Sequence, residues 1–264
     1  MKVNTQGSLN TLNQAQLQQE SLLKKLATAK RINSAADDAA GLQIANQLSS
    51  SINGKGQGER NLYDGVSLAR VYEQGLQGIN DNLGELNRLA VAAGNGIYGE
   101  QERAALQAEA DQYTANIQQS IDNTEFAGKK LFDQDGALSF GTGSGSLSFN
   151  TVDVAAGLNA QNIFSIDLSS AGSAEASLSN IQQSLDYIGG LQADAGASIN
   201  SFSSAASNLN GQQIAESAAR SRIEDLDFAR ASSDKAAADI LANTSVSVAM
   251  QARMQQQQAL NLLA

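Results

Sequence analysis

In NLYDGVSLARVYEQGLQGINDNLGELNRLAVAAG (residues 61–94) the apolar side chains fall into two rows. Leu62, Ala69, Leu76, Leu83 and Ala90 recur every seven residues, and Gly65, Tyr72, Ile79 and Leu86 repeat the pattern three residues later. This 3-4 alternation puts both rows on one side of a helix, as in a helix packed against another helix. The chain has no proline, so nothing of that kind interrupts a long helix.

The pattern returns further along. Leu178, Ile181, Leu185, Ile188, Gln192, Ala195, Ile199, Phe202, Ala206 and Leu209 step 3-4 without a slip, and Leu106, Ala110, Tyr113 and Ile117 do so over a shorter distance. Three helices are expected, at 42–94, 101–124 and 176–222. GNGIYGEQ (94–101) separates the first two with turn-forming glycines. NGKGQG (53–58) is a weak point where the first helix either kinks or divides.

Between the second and third helices the composition changes. DQDGALSFGTGSGSLSFN (133–150) sets Leu138 and Phe140 before a Gly/Ser turn and Leu147 and Phe149 after it, which predicts a β-hairpin. FSIDLS (164–169) is expected to add a third strand. The expected fold is mainly α: a long antiparallel helical bundle, or coiled-coil rod, with a small β-hairpin region at 131–175.

Both ends are also helical in pattern. Thr5, Leu9, Leu12, Gln16, Gln19, Leu23 and Leu26 alternate steps of four and three, as do Ala238, Leu241, Ser245, Val248, Ala252, Gln255, Ala259 and Leu262. From Ile240 to the last residue the only charged side chain is Arg253. Leu241, Val248, Leu262 and Leu263 share one helical face, while Val246 and Met250 lie nearly opposite. A helix apolar on several sides belongs in an interior. Burying the tail's nine large apolar groups represents on the order of 10 kcal/mol as an upper bound. One helical partner cannot cover every side; several copies of the chain can.

Composition narrows the function. The 264 residues carry a formal net charge of -10 and no Cys, His, Pro or Trp. The charge lacks the basic footprint of a nucleic-acid binder. Without His or Cys the usual zinc and transition-metal ligands are missing, and so are Ser–His and Cys–His nucleophile pairs. No enzyme activity and no cofactor are expected. No apolar run approaches a membrane span. The start, MKVNTQGSLN, lacks a secretory signal's apolar stretch, so export is expected by another route.

Local motifs have plain readings. In RINSAADDAAG (31–41), Ser34 with Asp37 fits a helix cap. The rival, calcium held by Asp37 and Asp38, lacks the spaced ligands of a calcium loop. RSRIEDLDFAR (220–230) is either a solvated helix face with pairs such as Arg220–Glu224 or a charged joint leading into the tail. GKGQG and GTGSGS lack the phosphate-loop pattern.

The chain resembles bacterial flagellin over nearly its whole length. RINSAADDAAGLQIAN, NLYDGVSLARVYEQGLQGINDNL and LNRLAVAAGNG are similar to the family's amino-terminal region, and DNTEFAGKKLF to its step out of the second helix. ARSRIEDLDFA and VAMQARMQQQQALNLLA are similar to its carboxyl-terminal region. The resemblance implies an inner helical tail domain with spokes (1–41 plus 223–264), a helical rod domain (42–222) and no outer domains. Arg31, Asn33, Ser34, Asp37 and Asp38 then belong to a spoke and its helix cap. Leu9, Leu12, Leu23, Leu26, Leu241, Val248, Leu262 and Leu263 are the expected self-assembly residues.

The implied function is structural: an extracellular subunit of the flagellar filament, exported through the flagellar type III route. The implied partners are copies of the chain itself, an export chaperone, the filament cap and the hook-junction proteins. The alternatives are a hook–filament junction protein and a secreted coiled-coil binding module. Three departures stand out. The family's LSSGLRINSA is LATAKRINSA here, its proline near the end is missing, and Glu85 stands where flagellins sensed by a vertebrate innate receptor carry Arg. Arg88, Leu89 and Glu109 remain in that strip. Reversing a charge at an interface is costly, so recognition by that receptor is not expected.

Overall fold

A computed structural model describes the backbone of residues 5–263; at 5–9, 11, 252, 256 and 259–263 the description is confined to the backbone. Six α-helices dominate: α1 (Thr5–Thr28), α2 (Ala39–Ala93), α3 (Glu100–Asn123), α4 (Val154–Ala160), α5 (Ala171–Glu224) and α6 (Phe228–Leu263). Four short strands, β1 (Glu125–Phe126), β2 (Lys129–Lys130), β3 (Gly136–Gly141) and β4 (Ser146–Thr151), pair as two antiparallel hairpins. The chain forms two compact units, residues 1–52 with 214–264, and residues 53–213.

The unit 53–213 has a continuous apolar core. Leu62, Ala69, Leu76, Leu83 and Ala90 are buried, as are Tyr72, Ile79 and Leu86. They cluster with Ala110 and Ile117 of α3 and with Ile181, Ile188, Ala195, Phe202 and Leu209 of α5. In α5 the deeply buried row is the one through Ile181; Leu178, Leu185 and Ile199 are half-buried against it. The heptad spacing therefore marks real core positions on three helices.

The expected hairpin forms, with Leu138 opposite Phe149 and Phe140 opposite Leu147. Phe149 packs edge-on to Tyr72 at 5.1 Å between ring centroids, and Phe140 meets Phe202 at 5.4 Å, a geometry aromatic pairs favour. Phe132 also stands edge-on to Tyr72, at 4.8 Å, and burial pushes the Tyr72 phenol up to about 12.

The weak point at 53–58 does not divide the helix. α2 runs through it, and its glycines meet those of the hairpin turn. A Cβ on Gly58 would lie 2.3 Å from the Thr142 carbonyl oxygen, and one on Gly143 would lie 2.6 Å from that of Gly54. Helical glycine costs about 1 kcal/mol against alanine; here it admits another backbone. The runs GKGQG and GTGSGS are two sides of one contact.

FSIDLS is not a third strand. Ile163–Ser165 is a 3-10 turn, and the extended stretch after it is held by a side chain. Gln107 of α3 donates to the Ile166 carbonyl at 2.9 Å and accepts from the Leu168 amide at 2.7 Å, acting as a one-residue strand partner. The same region also contains α4, capped by Asp153, whose carboxylate accepts from the Ala156 amide at 2.7 Å.

Candidate functional site

The terminal unit is built around α1 and α6, which pack together. Their facing ends meet at an antiparallel bridge between Lys30 and Asp225, so the two helices run in opposite directions. Gln19 Nε2 donates to Asp239 at 2.7 Å, and Lys235 pairs with Asp239 at 2.5 Å. The Lys235 hydrogen bond holds the Asp239 carboxyl below its ordinary range.

On the α6 side the residues that meet across this pair are mostly small. Ala231 and Ala238 of α6 and Ala15 of α1 are buried. Ala242, Ser245 and Ala249 continue the half-buried stripe on α6, and Leu12, Gln19, Leu22 and Leu26 do so on α1. The 3-4 stepping expected from the sequence is present through Leu12, Gln19, Leu26, Ala238 and Ser245, but its alternate members move by one position, from Gln16, Leu23, Leu241 and Val248 to Ala15, Leu22, Ala242 and Ala249. Leu12 and Leu26 take part. Leu23 (47 % exposed), Leu241 (61 %) and Val248 (50 %) point outward, joined by exposed Leu17, Ile240, Met250 and Met254. Small residues let two helices approach closely, which leaves the larger apolar groups on the outside. Leu9, Leu262 and Leu263 lie on α1 and α6, but their side chains fall outside the described residues.

The RINSAADDAAG segment forms a hydrogen-bonded joint. The Arg31 amide donates to Glu224 O at 2.7 Å and the Leu226 amide to Ala29 O at 3.0 Å. The Arg31 guanidinium donates to Ile223 O at 2.5 Å, and Lys30 pairs with Glu224. The salt bridge at Glu224 is thus made to the opposite strand; Arg220 donates to Ser49 at 3.2 Å. RSRIEDLDFAR is a joint in the terminal unit, with a charge on each side.

The cap differs from the sequence expectation. Ser34 lies five residues before α2, and Asp37 is the acceptor: its carboxylate takes hydrogen bonds from the Asn33 and Ser34 amides and from the Ser34 hydroxyl, each at 3.0 Å. Those bonds, the Asn33 amide first, hold the Asp37 carboxyl below its ordinary value. Asp38 caps α2, accepting from the Gly41 amide at 2.8 Å. Ile32 is buried beneath Gly41, where a Cβ would come within 2.7 Å of Ile32 Cδ1. Ile32 and Gly41 are positions the sequence reading did not single out.

The charged strip of the other unit is also partly rearranged. Arg88 bonds Glu85 at 2.8 Å and Glu109 at 3.3 Å on an exposed face; the Glu85 hydrogen bond raises the guanidinium pKa further. Leu89 is not part of that surface, because its side chain is fully buried in the core. Among the described residues no group of three or more His, Cys, Asp or Glu side chains is placed to hold a metal ion, and no helix is long and apolar enough to cross a membrane.

Comparison with known proteins agrees with this architecture. The family model for the bacterial flagellin N-terminal helical region matches residues 2–137, and that for the bacterial flagellin C-terminal helical region matches 178–263. The chain belongs to the bacterial flagellin family. B-type flagellin of Pseudomonas aeruginosa is 42 % identical over 161 residues, which is 58 % of this chain and 32 % of that protein. The chain thus spans about a third of that relative's length. The fold is similar to Bacillus cereus flagellin (TM-score 0.51, 21 % identity, 57 % of this chain and 88 % of that one). It is also similar to a putative flagellar hook-associated protein from Vibrio parahaemolyticus (TM-score 0.60, 14 % identity, 72 % of this chain and 100 % of that one).

Proposed function

We propose that this chain is a structural subunit that polymerises into the extracellular filament of the bacterial flagellum. The observation that carries this reading is the outer surface of the α1–α6 pair. Leu241, Ile240, Val248, Met250 and Met254 are each at least half exposed, yet they occupy a helix whose final stretch, 240–263, carries one charged residue, Arg253. An open helical stack supplies the missing partner by repeating one contact between copies without closing a ring. Residues 1–41 and 223–264 then form the tail domain with its spokes, and 42–222 the helical rod domain.

Export chaperone, filament cap and hook-junction proteins are the partners proposed with this reading, and the flagellar type III channel is the proposed route. A chain without cysteine has no disulfide to open before threading a narrow channel. The hook–filament junction reading is the rival, since one fold neighbour is a hook-associated protein; the pair of flagellin family models favours the filament. The test is electron microscopy of the purified protein after short filament seeds are added. Long filaments built from this chain support the reading. A soluble monomer or dimer that never extends a seed overturns it, and location in a few copies at the hook end would favour the junction protein.

A further inference from the structure

We propose that Asn95 is a spontaneous modification site of this protein: its side-chain amide is converted to aspartate or isoaspartate in the native fold, while the same dipeptide elsewhere is protected. Asn-Gly occurs three times, at 53–54, 95–96 and 210–211. The three asparagines are all exposed, so accessibility does not separate them. Backbone state does. Asn53 and Asn210 sit inside α2 and α5, where the following glycine's amide is committed to the helical ladder. Asn95 lies in the turn between α2 and α3, with Gly96 in open space.

The chemistry requires the Gly96 nitrogen to attack Asn95 Cγ. The Cγ–Nδ2 bond breaks, and ammonia leaves with the proton from the Gly96 amide, closing a succinimide. Water then opens the ring at either carbonyl, leaving aspartate or isoaspartate. In this turn the Ile97 amide donates to Asn95 Oδ1 at 3.2 Å. That bond holds the side-chain carbonyl back over the following peptide and gives a donor to the oxyanion formed on attack. At Asn53 and Asn210 the helix must open locally first, which in core helices approaches the cost of global unfolding.

The product has a local consequence. Arg103 donates to the carbonyls of Ala93 at 3.0 Å and Asn95 at 3.2 Å, and the Tyr98 amide also donates to Asn95 O. A new carboxylate arises beside that guanidinium. Isoaspartate also adds a methylene to the main chain, shifting Ile97 and Tyr98.

The test is peptide mapping of the full-length protein aged at mildly alkaline pH, with a native and a urea-unfolded sample. Conversion at Asn95 should exceed that at Asn53 and Asn210 by at least about tenfold in the native sample, and the three rates should converge in urea. Gly96→Ala, which meets no neighbour, should slow Asn95 severalfold by crowding the attacking nitrogen. Equal native rates, a selectivity that survives in urea, or an unchanged rate in Gly96→Ala would each overturn the proposal.

Discussion

The two compact units use the same helical spacing to opposite ends. In residues 53–213 the heptad rows close on one another: Leu76, Leu83 and Ile181 are wholly buried, and aromatic rings fill the space under the hairpin. In the α1–α6 pair the α6 side of the seam is mostly alanine and serine, while Ile240, Leu241, Val248, Met250 and Met254 on the same helix face outward. One unit supplies its own lining, and the other leaves its largest apolar groups without one. Periodicity alone does not distinguish these cases. The size of the residues in the inward row does.

Substitutions that separate stability from assembly break this comparison open. The largest effect is expected from Leu241→Asp with Val248→Asp. Each native side chain gains roughly 1.5–3 kcal/mol on burial, and an unpaired charge cannot be buried there. The critical concentration for polymerisation, read by sedimentation of seeded protein, should rise at least about 100-fold, while the monomer's urea midpoint stays put. If the monomer is destabilised instead, the outward face is part of a fold-stabilising contact. Leu83→Ala should do the converse: it costs about 2–5 kcal/mol, seen as a lower urea midpoint of the monomer.

Glycine substitutions sharpen the picture inside α2. Gly58→Ala places a methyl against the Thr142 backbone and should destabilise by about 1–3 kcal/mol. Gly84→Ala meets nothing and should stabilise by up to about 1 kcal/mol. Thermal unfolding of the two variants should move in opposite directions; shifts of the same sign would mean the hairpin tip does not bear on the helix.

Smaller effects belong to the joint. Ala29 has φ 55°, the left-handed region disfavoured for residues with a Cβ, and it stands where the family motif has glycine. Ala29→Gly should stabilise by roughly 1 kcal/mol or less, measured by denaturant unfolding. The smallest effect is the titration of Asp37. Its folded-state pKa is depressed below 3.8, so its contribution is complete above that value. It fades as pH falls through the lowered folded pKa. The Asn33 and Ser34 amide resonances should shift in that acid window and remain unchanged near neutrality.

Much of the fold was legible from apolar spacing, because a helix buried along one stripe repeats its large residues at 3-4 intervals. The helices at 39–93, 100–123 and 171–224 were readable for that reason, and the 136–151 hairpin from alternate apolar residues on either side of a Gly/Ser turn. The continuity of α2 was not, because glycine's helical penalty is local while the Thr142 contact that favours it is some 80 residues away in sequence. The 164–169 segment alternates like a strand, but its partner is the single side chain Gln107. Asp38 and Ser34 are both good caps by residue type, and only the start of α2 at Ala39 selects between them. Leu89 stands beside Arg88 in sequence, yet a helix turns 100° per residue and carries it into the core.

By itself the sequence determined which long stretches are helical, though not the short α4, that a hairpin interrupts them, and that the tail is too apolar to suit a solvated surface. These follow from side-chain character at short range. Only the tertiary structure decided which side of α1 and α6 meets the other and which large residues are left outside. Both faces of that tail are apolar enough to pack, and the choice between them depends on how closely two backbones can approach.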